Sequence, residues 1–256
     1  LIVPAIDIIN GRVVRLARGA FDKVSVYDLS PLAFAQKWVE QGARFIHIVD
    51  LDGAKSGVPK NFEVIRDVVR RISVKVEVGG GIRTAASIRQ YLEAGIERVV
   101  LSTKIIDDTS FLLHRDIKDY AGRLAVSVDI KAMASDGTLT SGTGGWLESG
   151  DKPIDLDDFL KVVASAGVLY VNFSDISKDG MLSGPDTDKI RRFITFAKKV
   201  SADAFYFTYA GGIATLDDLR RLKSLGVDGP DAVIVGRALY EDKFTLKEAI
   251  EATRST

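Results

Sequence analysis

The sequence predicts an α/β protein: a single (βα)8 barrel of the TIM type, built from two similar halves. Three observations carry this. Short apolar, β-branched runs alternate with amphipathic helical patterns along all 256 residues. The runs are apolar nearly throughout, as strands buried on both faces of a parallel sheet must be. Four segments of the first half recur, in the same order, in the second.

In chain order, strands are expected at Leu1–Ile8, Phe45–Leu51, Val74–Val78, Arg98–Leu101, Leu124–Ile130, Leu169–Phe173, Ala204–Thr208 and Ala232–Val235. Helical patterns lie between and after them, at Pro31–Gln41, Asn61–Arg71, Ala85–Ala94, Thr109–Tyr120, Leu156–Ala166, Thr187–Lys198, Leu216–Leu225 and Leu246–Ala252. Ser30-Pro31 and Thr215 are helix starts, the first with proline in the opening turn. Gly42, Gly95, Gly167 and Gly226 each follow a helix, where a left-handed residue is wanted. An open, doubly wound sheet is the competing arrangement, but no GxGxxG opens a helix after the first strand. Two stretches interrupt the rhythm, Arg18–Leu29 and Ala132–Pro153. Both leave the C-terminal face of the barrel, where loops of that length are functional lids or disordered segments.

The repeat is the strongest signal. PAIDI at Pro4–Ile8 matches VSVDI at Val126–Ile130, setting Asp7 opposite Asp129. VDLDGAKSG from Val49 matches SDISKDGMLSG from Ser174. VGGGIRTAASIRQYLEAG from Val78 matches YAGGIATLDDLRRLKSLG from Tyr209, and VVLSTKI from Val99 matches VIVGRAL from Val233. Because polar turn residues match along with the apolar period, a duplicated four-strand unit explains the set. The expected organisation is one catalytic domain over 1–256, with half-barrels of approximately 1–122 and 123–256.

Composition narrows the function classes. There are 35 basic and 35 acidic residues, so nucleic acid and anionic membrane are not indicated as partners. The chain has no cysteine, which excludes disulfides, thiolate catalysis and Cys-based metal sites and fits a reducing cytoplasm. The N-terminal run is short, interrupted by Asp7 and preceded by no basic segment, so it reads as a strand, not a signal peptide. Metal binding is not expected: the only histidines are His47 and His114, and no ligand spacing occurs.

The repeat places like groups on opposite sides of the barrel mouth. Gly79-Gly80-Gly81 and Gly211-Gly212 follow equivalent strands and present backbone without side chains. Ser102-Thr103 and Gly236-Arg237 begin the next helical segments, where N–H groups favour an anion. Two such sites suit a ligand with a phosphate at each end. Arg18 and Arg83 are placed to reach a phosphate. Asp7 and Asp129 end otherwise apolar strands, and burying a carboxylate needs a reason. One reason is a structural hydrogen bond or salt bridge. Another is an acid–base pair facing a substrate, an arrangement that also suits glycoside hydrolysis. Trp146, in the glycine-rich stretch after the fifth strand, either closes over a planar ring or anchors its loop.

These residues resemble a known family nearly end to end: the phosphoribosylformimino-aminoimidazole carboxamide ribotide (ProFAR) isomerases of histidine biosynthesis. The likeness rests on PAIDIINGRVVRL, VDLDGAKSG, VGGGIRT, VSVDI, Gly145-Trp146, SDISKDGMLSGPD and VGRALYEDKFTLKEAI. It implies an Amadori rearrangement of a bisphosphorylated aminoaldose to an aminoketose, without metal or organic cofactor, in a monomeric cytoplasmic enzyme. It assigns catalysis to Asp7 as base, Asp129 as acid and Asp175 as a further carboxylate sharing the acid role. It assigns one phosphate to Gly80, Gly81, Ser102 and Thr103, and the other to Gly180, Gly211, Gly212, Gly236 and Arg237. Arg18, Gly19, Arg83, Trp146 and Ser174 complete the substrate-binding set, with Trp146 stacking on the imidazole. The chain departs from the family pattern at Ser102, Ser174, Met181 and Tyr209-Ala210. The sister cyclase shares the fold and both aspartates, but PAIDI and SDISKDGMLSG favour the isomerase. A bifunctional isomerase acting also on phosphoribosylanthranilate would carry the same segments. A barrel that only binds phosphorylated ligands is the non-enzymatic alternative.

Overall fold

The computed structural model describes residues 1–17, 20–134, 136–143, 150–178, 180–201 and 205–254. Eight parallel strands form its centre: β1 (Ile2–Ile9), β2 (Phe45–Asp50), β3 (Lys75–Gly79), β4 (Arg98–Leu101), β5 (Leu124–Met133), β6 (Tyr170–Asp175), β7 (Tyr206–Ala210) and β8 (Ala232–Val235). Each pairs with the next, and β8 pairs with β1 through Ile2–Val233 and Pro4–Val235, so the sheet closes into a barrel. Closure removes both edges of the sheet. It also sets β1 and β5 on opposite sides of the ring.

Side chains alternate across each strand. On β1, Ile2, Ile6 and Ile8 face outward into the large core shared with the helices. Val3 and Ala5 face inward, where they pack with Phe45, Ala232 and Ile234. Asp7 continues that inward face at the C-terminal end of the strand. The same alternation puts Ser127 and Asp129 of β5, and Asn172 and Ser174 of β6, on the inner face.

The helical shell follows the expected order, and its ends are capped as the sequence predicts. Ser30 accepts from the Ala33 N–H at the start of Pro31–Glu40. Thr215 forms a reciprocal capping box with Asp218 at the start of Leu216–Ser224. Gly42, Gly95, Gly167 and Gly226 all have positive φ.

Three features differ from the sequence reading. The Thr109–Tyr120 helix is broken: a 3-10 turn spans Thr109–Leu113, His114 is extended, and a short helix covers Arg115–Lys118. Additional short helices, Leu51–Ser56, Thr103–Asp107 and Arg237–Tyr240, leave β2, β4 and β8 at the mouth. The two long interruptions are not plain loops. Arg12–Ala17 folds back antiparallel on β1 and pairs with Ala20–Val26. Thr138–Thr143 folds back on β5 and pairs with Gly150–Asp155. Both are β-hairpins rising from the C-terminal face.

Candidate active site at the barrel mouth

The mouth is framed by two turns of the same shape. After β3, Gly80 and Gly81 have φ of 109° and 71°; after β7, Gly211 and Gly212 have 121° and 74°. Glycine is needed there for space as well as dihedral. A Cβ on Gly80 would lie 2.1 Å from the Asp50 carbonyl oxygen, and one on Gly212 would lie 2.7 Å from that of Gly184. The backbones of the β2 and β6 loops thus press against these turns. The Gly184 N–H donates to the Gly212 carbonyl at 2.9 Å. Ser102 (φ −119°, ψ −97°) and Gly236 (φ −109°, ψ −96°) precede the short helices after β4 and β8 with nearly identical dihedrals.

Two cavities open beside these turns. The first is lined by Gly80, Gly81, Arg83, Ser102 and Thr103, and runs down the barrel past Asp129, Ser174, Asn172 and His47. The second is lined by Gly180, Gly211, Gly212, Gly236 and Arg237. Each sequence-assigned phosphate grip therefore forms one concave surface. Arg83 bounds the first and packs its guanidinium over Gly57, whose φ is 77°. Arg237 bounds the second and donates from Nη1 to the Gly180 carbonyl.

Four aspartates end strands around the mouth, in two kinds of environment. Asp7 on β1 pairs with Arg15 at 2.6 Å. Asp129 on β5 accepts a hydrogen bond from the Ser174 hydroxyl at 2.6 Å and lines the first cavity. Asp50 on β2 is fully buried and accepts from the N–H groups of Gly53, Lys60 and Asn61 and from the Asn61 amide. Asp175 on β6 is 2% exposed, accepts from the N–H and hydroxyl of Ser177, and pairs with Lys189 at 2.7 Å. Of the three sequence-assigned catalytic aspartates, only Asp129 is among the residues lining the two mouth cavities; Asp7 and Asp175 are not. The place of Asp175 is the counterpart of Asp50, holding the loop that leaves β6.

Arg15 went unnoticed in the sequence. Asn10 (φ 50°) and Gly11 (φ 73°) form the tight turn that folds Arg12–Ala17 onto β1, setting Val14 opposite Asp7 and Arg15 beside it. Its guanidinium also covers Gly236, where an added Cβ would meet it at 2.7 Å, and it lines the second cavity. One cation thus links the β1 carboxylate to the Gly236 turn after β8. Asn-Gly between two apolar runs was the available signal. Behind β1, Tyr27, Phe34, Trp38 and Tyr240 pack ring to ring, and Tyr240 donates to the Ala5 carbonyl. Burial, then the charge of Asp7, pushes the Tyr240 hydroxyl well above its ordinary value, so it stays a neutral donor. Arg18, Gly19 and Trp146 lie outside the described residues.

The family described as histidine biosynthesis protein matches residues 1–245. The chain belongs to that family. It is 40% identical over 252 residues to a phosphoribosyl-(phosphoribosylamino)methylideneamino-imidazole-carboxamide isomerase of Brevibacillus brevis, covering 98% of this chain and 95% of the relative. Proteins of the same name from Desulforudis audaxviator (40% identity, 99% and 91% coverage) and Ruminiclostridium cellulolyticum (38%, 98% and 99%) match equally fully.

Proposed function

We propose that this protein is an aldose–ketose isomerase of histidine biosynthesis, converting the bisphosphorylated aminoaldose ProFAR to the aminoketose PRFAR. One observation carries the reading: two glycine turns of matching geometry, each with its own cavity, flank a barrel mouth with Asp129 lining one cavity and Asp7, on the opposite strand, paired with the Arg15 that lines the other. A ligand with a phosphate at each end spans such a mouth with its middle over the barrel axis. The names of the full-length relatives support the same reaction.

The chemistry follows from the groups available. Protonation of the ribose ring oxygen by Asp129 lets the C1–O bond break as the glycosidic nitrogen lone pair forms the C1=N iminium. Asp7 then takes the proton from C2, and the C2–H electrons form C1=C2, neutralising the iminium nitrogen. The resulting enolamine becomes the ketone when the C2 hydroxyl loses its proton and C1 gains one. Ser174 orients the Asp129 carboxyl, and Arg15 holds that of Asp7 in place. Asp175, the further carboxylate of the family resemblance, is held by Ser177 and Lys189 and is given no separate step in this scheme. The protein is read as a cytoplasmic monomer working without metal or organic cofactor. Among the described residues no helix is long and apolar enough to cross a membrane.

The deciding experiment offers the purified protein ProFAR and, separately, phosphoribosylanthranilate, and measures both rates. Turnover of ProFAR is expected. Turnover of both identifies a bifunctional isomerase. Turnover of neither, with both compounds binding, identifies a phosphate-ligand barrel and overturns the proposal.

A further inference from the structure

One buried charge in the barrel lies below the residues used above. Glu77 of β3 is 1% exposed and sits inside the ring of strands. Three side chains converge on its carboxylate: His47 Nδ1 at 2.7 Å, Arg98 Nη1 at 3.2 Å and Asn172 Nδ2 at 3.2 Å. Asn172 reaches it from β6, on the far side of the barrel. The Arg98 guanidinium is also held over the Tyr170 ring, 3.4 Å from its centroid. Burial pushes the Glu77 carboxyl up, but the hydrogen bond from His47 Nδ1, the charge of Arg98 and the hydrogen bond from Asn172 outweigh it and hold it below the ordinary glutamate value. Glu77 is therefore an anion and can only accept.

That settles the orientation of its partners. Asn172 turns Nδ2 to Glu77, and its buried Oδ1 has no partner in the protein. His47 must carry a proton on Nδ1. Its Nε2 makes no hydrogen bond to any described residue, and both His47 and Asn172 line the first mouth cavity, whose wall also holds Asp129 and Ser174. Ring tautomers are set by the hydrogen bond the other nitrogen makes.

We propose that Glu77 is a positioning residue for the isomerase reaction: it fixes His47 as the Nδ1–H tautomer, so that an unprotonated Nε2 on the cavity floor accepts a hydrogen bond from a sugar hydroxyl of the substrate. This rests on the reading of that cavity as the sugar site. Glu77 never touches substrate. It acts through His47, as the orienting carboxylate does beneath a ligand or base histidine.

The test uses the 15N-labelled protein without substrate at about pH 8, above the ordinary histidine pKa. Long-range 1H–15N correlations separate protonated from unprotonated ring nitrogens. The chain has only two histidines, and His114→Asn assigns the spectrum. An unprotonated Nε2 on His47 is the expected result. A protonated Nε2, as the other tautomer or as imidazolium, overturns the proposal, and this holds even where no variant folds. In Glu77→Gln, Arg98 keeps the one remaining oxygen and the amide turns to His47, so the ring proton moves to Nε2. The kcat/KM for ProFAR then falls about tenfold, the scale of one well-placed hydrogen bond, and most of that loss disappears in a His47→Ala background. Equal losses in both backgrounds overturn it. A wild-type protein with the expected tautomer but no turnover of ProFAR overturns the functional reading alone.

Discussion

The two halves of the barrel share a skeleton and differ in what they hang on it. Gly80-Gly81 and Gly211-Gly212 agree within about 12° in φ, Ser102 and Gly236 within about 10°, and Gly57 and Gly184 within about 1°. Thr84 and Thr215 open equivalent helices with the same reciprocal capping box. The side chains diverge. Asp50 is held by backbone N–H groups and an amide, whereas Asp175 is held by a serine and a lysine. The box partner is Ser87 in one half and Asp218 in the other. Arg15 covers Gly236 after β8 and pairs with Asp7, while Asp129 in the other half meets Ser174. The proposed phosphate sites ask backbone shape of their turns, and that is what both halves keep. The charges around the turns were free to differ, and they make the halves unequal in chemistry and in stability.

Chemistry gives the largest expected effect. Asp7→Asn and Asp129→Asn each remove one proton-transfer group at nearly constant shape, and each is expected to lower turnover of ProFAR about 10²–10⁴-fold. Circular dichroism should stay close to wild type in both, as should the thermal midpoint of Asp129→Asn, while the midpoint of Asp7→Asn falls because Arg15 loses its counter-charge. Near-normal turnover in both variants would remove the paired-carboxylate mechanism, and a loss in only one would show that the halves are not chemically complementary.

Next comes the pair of glycine turns. Gly80→Ala places a Cβ 2.1 Å from a backbone oxygen, whereas in Gly211→Ala the nearest atom is 3.1 Å away. Both carry the left-handed penalty of about 1–2 kcal/mol. Only the first also forces backbone apart, so it is expected to cost ~4 kcal/mol or more, in the range that marks a severe local clash. Urea midpoints measure both, and equal losses would mean that the β2 loop yields as readily as the β6 loop.

The strand-end carboxylates sharpen the contrast further. Lys189→Met leaves Asp175, with a side chain 3% exposed, without its cation. A loss of about 3 kcal/mol is expected, as for a broken buried pair. Lys60 serves Asp50 through its backbone N–H and has an exposed side chain, so Lys60→Met should change stability by less than about 0.5 kcal/mol. Chemical denaturation of the two variants decides whether the halves hold these charges differently.

How far the sequence reaches is clear from particular residues. Apolar β-branched runs such as Val99–Leu101 and Ala232–Val235 gave the strands with their observed C-terminal ends, because burial on both faces keeps them apolar throughout. The glycine turns were legible because only glycine tolerates those dihedrals and approaches. The hairpins were harder. Arg12–Ala17 mixes charged and apolar residues, and its strand character comes from pairing with β1, a non-local contact. Arg15 was lost with it, since its partnership with Asp7 exists only once the hairpin forms. The family resemblance assigned Asp175 a share of the acid role, but its surroundings were not legible in the sequence. Its partner Lys189 is 14 residues away on the next helix, and no local pattern announces that pairing.

The smallest expected effect concerns the two capping boxes. In the second half, burial raises the Asp218 carboxyl, but hydrogen bonds from the N–H groups of Ala214 and Thr215 and from the Arg221 guanidinium outweigh it and hold the carboxyl below the ordinary aspartate value. A carboxyl lowered by folding adds stability that is fully present above its unfolded value, near pH 4, and is lost as the pH falls through the folded one. The first half has Ser87 at that position, so its box does not titrate. Asp218→Asn should therefore cost stability at pH 7 on the scale of one helix cap, about 1 kcal/mol, with a shrinking cost toward pH 3. Ser87→Ala should cost a similar amount that is the same at both pH values. Thermal midpoints of the two variants and the wild type across that range test the difference. A Ser87→Ala loss that also fades in acid would mean the acid sensitivity belongs to the barrel as a whole, while a loss confined to Asp218→Asn assigns it to the half whose cap carries a charge.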